Sequence, residues 1–219
     1  MLVRALPLLL LLLALSQGAL GCARVEGALA AQEPKKVDLL KLIDPAKDAA
    51  GGTWKFEGTT LVAPTVKFGR LQIPYVPPQE YDVKLVVERK DKANSIVLGL
   101  VGGGKQFIAV VDAFDHDPFS GIELIDGKAF PDNETGVPGR LLENGKKATL
   151  EYGVRKDKVT MMVNGKRIVD WKADWEGLTL YKDWKMPRAD ALFIGAWTAP
   201  YHIHEAVLTP VTGEGKPLR

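Results

Sequence analysis

The amino-acid sequence predicts an all-β fold, a two-sheet antiparallel β-sandwich of the jelly-roll type. Three observations support this prediction. Apolar and polar residues alternate over short segments, turn residues separate these segments, and the segments lack the 3.6-residue period of helices. Many short strands at such spacing are typical of sandwiches and jelly rolls. We expect a single domain, because 219 residues with 46% hydrophobic content can build one sizeable core.

The clearest prediction is a set of three consecutive antiparallel strands. Residues 148–155 alternate with a period of two, and the alternation resumes over residues 159–163. Asn164-Gly165 follows, and this pair is the strongest short-range signal for a hairpin because a type I′ turn needs positive φ at both central residues. The return strand is predicted over residues 166–171.

The other strands are shorter. They are predicted at residues 53–57, 60–62, 70–73, 81–89, 95–101, 106–112, 121–125, 192–197 and 201–211. Residues 37–43 fit either one helical turn or a first strand. The three glycines 102–104 predict a β-turn, because the spacing of a phosphate-binding loop is absent. Residues 130–140 and 172–190 are predicted to be irregular.

The N-terminal segment has the plan of a secretory signal peptide. Arg4 precedes an apolar run over residues 5–15, which is too short to span a bilayer comfortably, and small residues follow. We therefore expect an exported protein that is periplasmic, cell-surface or extracellular. Cleavage after Ala30 would remove a signal peptide of residues 1–30, leaving a polar tether (31–36) and a domain over residues 37–219.

A second cleavage site lies before Cys22. Residues 19–22 read Ala-Leu-Gly-Cys, which resembles a bacterial lipobox without its usual leucine. Cleavage there would remove residues 1–21 as a lipoprotein signal and make Cys22 a lipid anchor, the one route by which we expect contact with a membrane. Both sites remain open. Cys22 is the only cysteine, so an intramolecular disulfide is excluded.

The charge balance argues against one class of partner. The formal net charge is +2, from 29 Lys and Arg residues against 27 Asp and Glu residues, and no long basic run is present. Proteins that bind nucleic acid usually carry a basic patch or a strongly basic charge. We therefore expect no nucleic acid partner.

Five short motifs follow one another in an order known from one superfamily. They are a G-x-W at residues 52–54, the acidic-Arg pair Glu88-Arg89, Asn94-Ser95, a strand ending in Asp112, and the Asn164-Gly165 hairpin. Over residues 52–210 the chain resembles the concanavalin A-like lectin and glucanase (LamG-like) superfamily, and within it the secreted bacterial domains of the 3-keto-disaccharide hydrolase-like type. The resemblance implies a concanavalin A-like jelly roll and a carbohydrate ligand.

The chain departs from these families where their catalytic residues stand. The hydrolase-like domains present a glutamate and a glutamine before the aspartate, whereas residues 107–111 are wholly apolar here. The E-x-D-x-E pattern of the glucanases is absent, since Glu123 and Asp126 have a different spacing. Glycoside hydrolysis ordinarily needs two carboxylates across one bond. The sequence therefore favours a non-catalytic module that binds glycan.

Two alternatives to this interpretation remain open. One is a glycoside-processing hydrolase of the 3-keto-disaccharide hydrolase-like type, for which Asp112, Asp115 and Glu123 are the candidate catalytic carboxylates. The other is a structural module that binds a protein partner. Neither the binding module nor the structural module requires a cofactor.

Two groups of residues are candidates for a binding site. Asp112, Asp115 and Asp117 lie within six residues, and they could provide oxygen ligands for Ca²⁺ or simply form a solvated turn. In the second group, Trp175, Tyr181 and Trp184 lie in the irregular segment, where indole and phenol rings can stack on sugars while Asp112 binds hydroxyls. The tryptophans predicted to lie in strands, which are Trp54, Trp171 and Trp197, are expected to be core residues.

Overall fold

The computed structural model describes residues 35–219. The predicted signal peptide, the lipid-anchor site at Cys22 and most of the tether lie outside the described residues. The strands are β1 (Val37–Asp38), β2 (Ala49–Gly51), β3 (Lys55–Glu57), β4 (Thr60–Val62), β5 (Gly69–Gln72), β6 (Tyr75–Val76), β7 (Glu80–Arg89), β8 (Ile96–Gly102), β9 (Lys105–Ala113), β10 (Phe119–Ile122), β11 (Leu124–Ile125), β12 (Lys128–Ala129), β13 (Val137–Pro138), β14 (Lys147–Arg155), β15 (Lys158–Val163), β16 (Lys166–Lys172), β17 (Phe193–Ala196), β18 (Tyr201–Thr212) and β19 (Lys216–Pro217). One short α-helix, α1 (Pro45–Asp48), and two 3₁₀ helices, Leu40–Leu42 and Lys182–Trp184, complete the elements of the described residues.

Two large antiparallel sheets form the sandwich. Sheet A has the order β16-β15-β14-β7-β18-β4-β3, with β1 also paired to β18, and sheet B has the order β13-β10-β9-β8-β17-β5-β2. The chain crosses between the sheets repeatedly, since β7, β14 and β18 lie in sheet A while β8, β9 and β17 lie in sheet B. The predicted all-β, two-sheet antiparallel sandwich is confirmed.

The core lies between the two sheets. Alternate residues of β7, which are Tyr81, Val83, Leu85 and Val87, are completely buried there, as the period of two predicts. They share one apolar cluster with residues of sheet B such as Leu98. Because strand side chains alternate, the opposite face of β7 is partly exposed.

The three central strands are consecutive antiparallel neighbours, as predicted. β14 pairs with β15, and β15 pairs with β16. Asn164 and Gly165 have φ values of 49° and 78°, which are the left-handed angles that a type I′ turn requires. The Asn164 side chain also accepts a hydrogen bond of 2.9 Å from the Thr149 amide. The turn residues therefore fix this register locally.

Sheet B is buried on its outer face as well as its inner face. β8 and β9 are apolar almost throughout, and Val97 and Ile108 point away from the sandwich core into a second apolar cluster. The irregular segment 173–192 covers part of this outer face. Two buried glutamines hold it in place, because Gln72 and Gln106 donate hydrogen bonds to the carbonyls of Leu192 (2.9 Å) and Ala191 (2.6 Å).

Several local predictions are refined by the structure. Residues 37–43 contain both alternatives, a two-residue strand followed by a 3₁₀ turn. The glycine triplet is a tight turn between β8 and β9, and Gly103 and Gly104 have φ values of 56° and 78°. Within residues 35–219, the helices are too short and too polar to cross a membrane.

Candidate functional site

An aromatic cleft with a volume of about 370 Å³ opens on the outer face of sheet B. Val97 of β8 and Val110 of β9 form its floor. The residues that line this cleft are Phe68, Asn94, Ser95, Val97, Val110, Ala113, Phe114, Glu123, Leu124, Ala129, Phe130, Tyr181, Trp184 and Trp197. Other depressions on the described surface are as large, such as one of about 790 Å³ beside Tyr75, but compared with these only the aromatic cleft combines several aromatic rings with a partly buried carboxyl group.

Phe68 is the centre of the first wall, which stands over β5 and β17. Its ring packs edge-on against Trp197 and Trp184, at centroid distances of 4.4 and 5.0 Å, and it stacks on Tyr181 at 6.1 Å. Phe68 has a φ of 52°, an unusual conformation for a bulky residue. Such strain of about 1–3 kcal/mol persists only where the surrounding packing enforces it, and it is concentrated at functional sites.

The second wall stands at the β9 end of the floor. Phe114 stacks on Phe130 at a centroid distance of 5.6 Å, and Phe114 also has a positive φ, of 70°. Arg140 braces this loop by donating hydrogen bonds to the carbonyls of Phe114 (3.3 Å) and Asp115 (2.7 Å). Phe114 and Tyr181 are 48% and 44% exposed, so each wall offers one ring to a ligand.

Glu123 is the one carboxyl group among the described residues that line the cleft. Its backbone amide bonds to the Ile108 carbonyl at 2.9 Å, and its Oε1 accepts a 3.0 Å hydrogen bond from the indole N–H of Trp184. Oε2 is buried and has no hydrogen-bond partner within residues 35–219. Burial raises the pKa of Glu123 to about 7, while the Trp184 bond opposes the rise. At neutral pH this side chain is therefore poised between its acid and its carboxylate.

The raised pKa of Glu123 predicts a pH dependence of stability. Between the ordinary pKa of 4.5 and the folded value of about 7, the folded state holds a proton that the unfolded state has lost. The stabilisation of the folded state by this proton is therefore complete below pH 4.5. It declines as the pH rises through 7, by about 3 kcal/mol in all. Urea unfolding of the wild type and Glu123→Gln at several pH values measures it. The free energy of unfolding of the wild type, measured relative to that of Glu123→Gln, is expected to fall from pH 4.5 to pH 7 and to level off above pH 7. A difference that does not change with pH would contradict the prediction.

Asp112 lies inside the sandwich, and the cleft does not include it. The Asp112 carboxylate is fully buried and forms a 2.9 Å ion pair with Arg89, which is itself 2% exposed. It also accepts hydrogen bonds from the backbone amides of Leu141 (2.7 Å) and Leu142 (3.0 Å). Both oxygens are thus used by the protein, and the residue joins the end of β9 in sheet B to the end of β7 in sheet A.

The predicted calcium ligands do not converge. Asp115 and Asp117 are exposed on the loop after β9, whereas the Asp112 carboxylate is buried. In residues 35–219 no group of three or more His, Cys, Asp or Glu side chains is arranged to hold a metal ion. The loop has the geometry of a turn, since Asp117 has a φ of 48°.

The structure separates the three aromatic residues predicted to bind a ligand. Tyr181 and Trp184 line the aromatic cleft, but Trp175 lies at the turn between β8 and β9. There its ring covers Gly102 and Gly103, where an added Cβ would come within 2.4 and 2.2 Å of it. Its indole N–H donates a 2.7 Å hydrogen bond to the Lys156 carbonyl. The packing explains two of the three glycines in that turn.

Of the three tryptophans predicted to be core residues, two lie in the core and one lines the cleft. Trp54 and Trp171 are buried, as expected. Trp197, however, follows the end of β17 and forms part of the first wall, so this prediction is wrong. The strand ends one residue earlier than predicted, and the ring therefore lies beside Phe68 on the outer face rather than in the core.

Three phenylalanines of the cleft were not predicted from the sequence. Phe68, Phe114 and Phe130 lie in turns, and no short motif marks them. One signal was available: strands apolar on both faces, such as residues 107–111, indicate that both faces of a sheet are covered. That pattern predicts a second apolar cluster, but it does not say which residues cover it.

No family model and no curated protein sequence matches the chain. Solved structures do match. The carbohydrate-binding module CBM66 from Bacillus subtilis is 12% identical with a TM-score of 0.52, over 74% of this chain and 94% of that one. The exoplasmic/lumenal domain of VIP36, in a Ca²⁺/Man3GlcNAc-bound form, is 12% identical with a TM-score of 0.53, over 76% and 85% of the two chains. A putative glycosyl hydrolase from Parabacteroides distasonis is 12% identical with a TM-score of 0.46, over 81% and 94%.

At these identities the likeness shows the fold alone. The topology and the matches with TM-scores above 0.5 agree on a concanavalin A-like jelly-roll sandwich.

Proposed function

We propose that this protein is a glycan-binding module whose ligand binds in the aromatic cleft. The observation that carries the proposal is the pair of exposed rings, Phe114 and Tyr181, one on each wall of a cleft lined mostly by apolar residues. Pyranose rings have apolar C–H faces that pack on aromatic faces. The floor between the two walls is formed by β8 and β9. Because neighbouring strands lie about 4.8 Å apart, a floor of this width leaves room for a sugar ring between the walls.

Polar groups in the cleft supply the hydrogen bonds that fix a sugar. Asn94 and Ser95 contribute an amide and a hydroxyl, and Glu123 contributes a carboxyl group. A site of this kind, mostly apolar with a few polar groups, is typical of small-ligand binding. The solved structures named as a carbohydrate-binding module and as a Man3GlcNAc-bound domain share the fold and support the same ligand class.

The proposal includes a location. The signal-like segment before residue 31 supports an exported module at a bacterial cell surface or in the periplasm, and Cys22 would attach it to a membrane if cleavage occurs before that residue. Mass spectrometry of the protein made in a bacterial host tests both statements, because it distinguishes cleavage after Ala30 from a lipid-modified Cys22.

One observation favours a second candidate, a glycoside-processing hydrolase of the 3-keto-disaccharide hydrolase-like type. A carboxyl group with a pKa of about 7, such as Glu123, suits a general acid. Hydrolysis would need a second carboxylate about 5–10 Å away, and the described lining residues include only Glu123. Release of reducing sugar that is abolished in Glu123→Gln would favour this candidate over a binding module.

Removing one exposed ring is expected to weaken glycan binding without unfolding the protein. Tyr181→Ala removes a stacking surface worth about 0.5–1.5 kcal/mol, which corresponds to about 2- to 12-fold in affinity. Thermal-shift screening against polysaccharides identifies a ligand, and calorimetry then measures the variant. Val211→Ala is the matched control, because Val211 is a similarly exposed apolar residue on β18 that does not line the cleft.

Two results would count against the proposal. One is the absence of a thermal shift with every polysaccharide tested. The other is an equal loss of affinity in Tyr181→Ala and Val211→Ala, which would place the ligand elsewhere. The same titration with a chelator tests the part of calcium, and we expect no change because Asp112, Asp115 and Asp117 do not converge.

A further inference from the structure

The lining of the aromatic cleft has an unusual charge composition. It combines six aromatic rings with one carboxyl group, and its described residues include no lysine, arginine or histidine. The chain as a whole has 29 Lys and Arg residues, so the cleft differs from the rest of the protein. Carboxylates and aromatic faces both attract cations, and neither attracts anions. We propose that the glycan bound in this cleft carries an ammonium group, as an amino sugar does.

This inference rests on the proposed glycan-binding function and names the class of sugar. Its main support is that none of the described residues 35–219 gives Glu123 a positively charged partner. The groups that donate hydrogen bonds to its carboxyl group are neutral, namely the indole of Trp184 and the backbone amide of Tyr181, and no cationic side chain contributes to the shift of its pKa. An ammonium group bound between the walls would be the first counter-charge to this carboxylate.

The geometry shows how the charges would meet. Oε2 of Glu123 is shielded from solvent, and Oε1 already accepts the Trp184 bond. A bound ammonium group therefore acts on the carboxylate as a nearby charge inside a partly desolvated site, where Coulomb attraction is stronger than in water. It also lies against the aromatic faces, which favour cations at distances up to about 6 Å.

The rim of the cleft already contains one contact of this type. The ammonium group of Lys67 lies 5.8 Å from the ring centre of Trp197, although Lys67 is not among the lining residues. An acidic sugar would be disfavoured, because the carboxylate of Glu123 would repel its negative charge. A neutral sugar would leave the Glu123 charge without a partner, so it binds this cleft less tightly than its amino counterpart.

The proposal predicts a proton exchange on binding. A fixed positive charge stabilises the ionised form of Glu123, so binding below pH 7 releases a proton. A neutral sugar does not. The titratable groups on the elements packed against Glu123 are Tyr181, Lys182, Asp183 and Lys185 around Trp184, Lys105 and Asp112 on β9, Asp126 in the turn after β11, and Lys128 on β12. Of these, only Tyr181 lines the cleft.

The test is calorimetry of the full chain at pH 6.5 in two buffers of different ionisation enthalpy. The ligands are matched oligomers of glucosamine, N,N,N-trimethylglucosamine, N-acetylglucosamine and glucose; the trimethyl form has a permanent charge and therefore exchanges no proton itself. We expect both cationic oligomers to bind at least about tenfold more tightly than the other two. The trimethyl oligomer should release somewhat less than one proton per site.

Glu123→Gln should abolish the proton release and remove the preference for cationic oligomers. Glu176→Gln is the matched control, since Glu176 is an exposed carboxylate outside the cleft, and it should retain both. Thermal unfolding checks that each variant is folded. Binding of the neutral oligomers that is as tight as that of the cationic ones or tighter, or cationic binding that is insensitive to Glu123→Gln, would overturn this inference and leave glycan binding standing. If no oligomer or polysaccharide binds, the glycan-binding function itself fails.

Discussion

Replacing Asp112 with asparagine is expected to lower the free energy of unfolding by about 3–5 kcal/mol. The substitution keeps the shape of the side chain but removes its charge, and the guanidinium of Arg89 is left buried without a counter-ion. Arg89 would retain its hydrogen bonds to Asn144 and to the Leu142 carbonyl, which are neutral acceptors. A buried charge without a counter-ion is among the most destabilising defects that a substitution can create.

Urea unfolding measures this loss, and an exposed ion pair provides the control. Asp170→Asn breaks contacts of 2.9 Å with Lys158 and Arg167 at the surface, where water and salt screen the charges, and we expect little change. Adding Arg89→Met to Asp112→Asn should recover part of the loss, because the buried unpaired charge is then gone while asparagine can still accept a hydrogen bond from a backbone amide. A loss for Asp112→Asn no larger than that for Asp170→Asn would show that the ion pair between the sheets contributes little.

Replacing Trp184 with alanine is expected to destabilise the protein by about 3–5 kcal/mol and to abolish ligand binding in the cleft. The ring is 3% exposed and packs against Phe68 and Phe193, with a centroid distance of 5.0 Å to the former. Gly195 lies directly beneath it, since a Cβ there would lie 2.7 Å from the ring. Removing the indole leaves a cavity under the first wall and takes the hydrogen-bond donor from Glu123.

Trp184→Phe separates these two effects. A phenyl ring fills most of the space but has no N–H, so the loss should fall to about 1–3 kcal/mol, the usual cost of an unsatisfied buried polar group. Since the indole N–H lowers the pKa of Glu123, this variant should also raise that pKa further above its ordinary value of 4.5. Carbon-detected NMR titration of the carboxyl group measures the change. The hydrogen bond between Trp184 and Glu123 would be contradicted if the alanine and phenylalanine variants lost the same free energy of unfolding and the pKa of Glu123 did not change.

Local patterns in the sequence were sufficient for the long strands and for the main turn, but not for the two- and three-residue strands β2, β6, β12, β13 and β19. The alternation over residues 81–89 and the Asn164-Gly165 pair each act within a few residues, because side-chain direction alternates along a strand and φ is set residue by residue. The structure confirms both. The motifs that support the family resemblance also acquire a physical meaning, since Arg89 and Asp112 form the buried ion pair between the sheets.

The period of two predicts the wrong direction for the side chain of Asp112. By the period of two, Asp112 should share the outer face of β9 with Ile108 and Val110, and its carboxylate would then face the cleft. Its φ of 58° and the irregular register between β9 and β10 turn the side chain into the core instead. Of the three candidate catalytic carboxylates Asp112, Asp115 and Glu123, only Glu123 lines the cleft.

The sequence by itself determined the all-β class, the central hairpins and the apolar faces of the sheets, because these depend on short-range periodicity and turn chemistry. The tertiary structure alone decided the composition of the cleft. Phe68, Phe114, Phe130 and Trp184 are far apart in the chain, and they meet only because sheet B places β5, β17, β8, β9 and β10 side by side. The same long-range packing buries Glu123 and raises its pKa, since desolvation depends on every element that surrounds the carboxyl group.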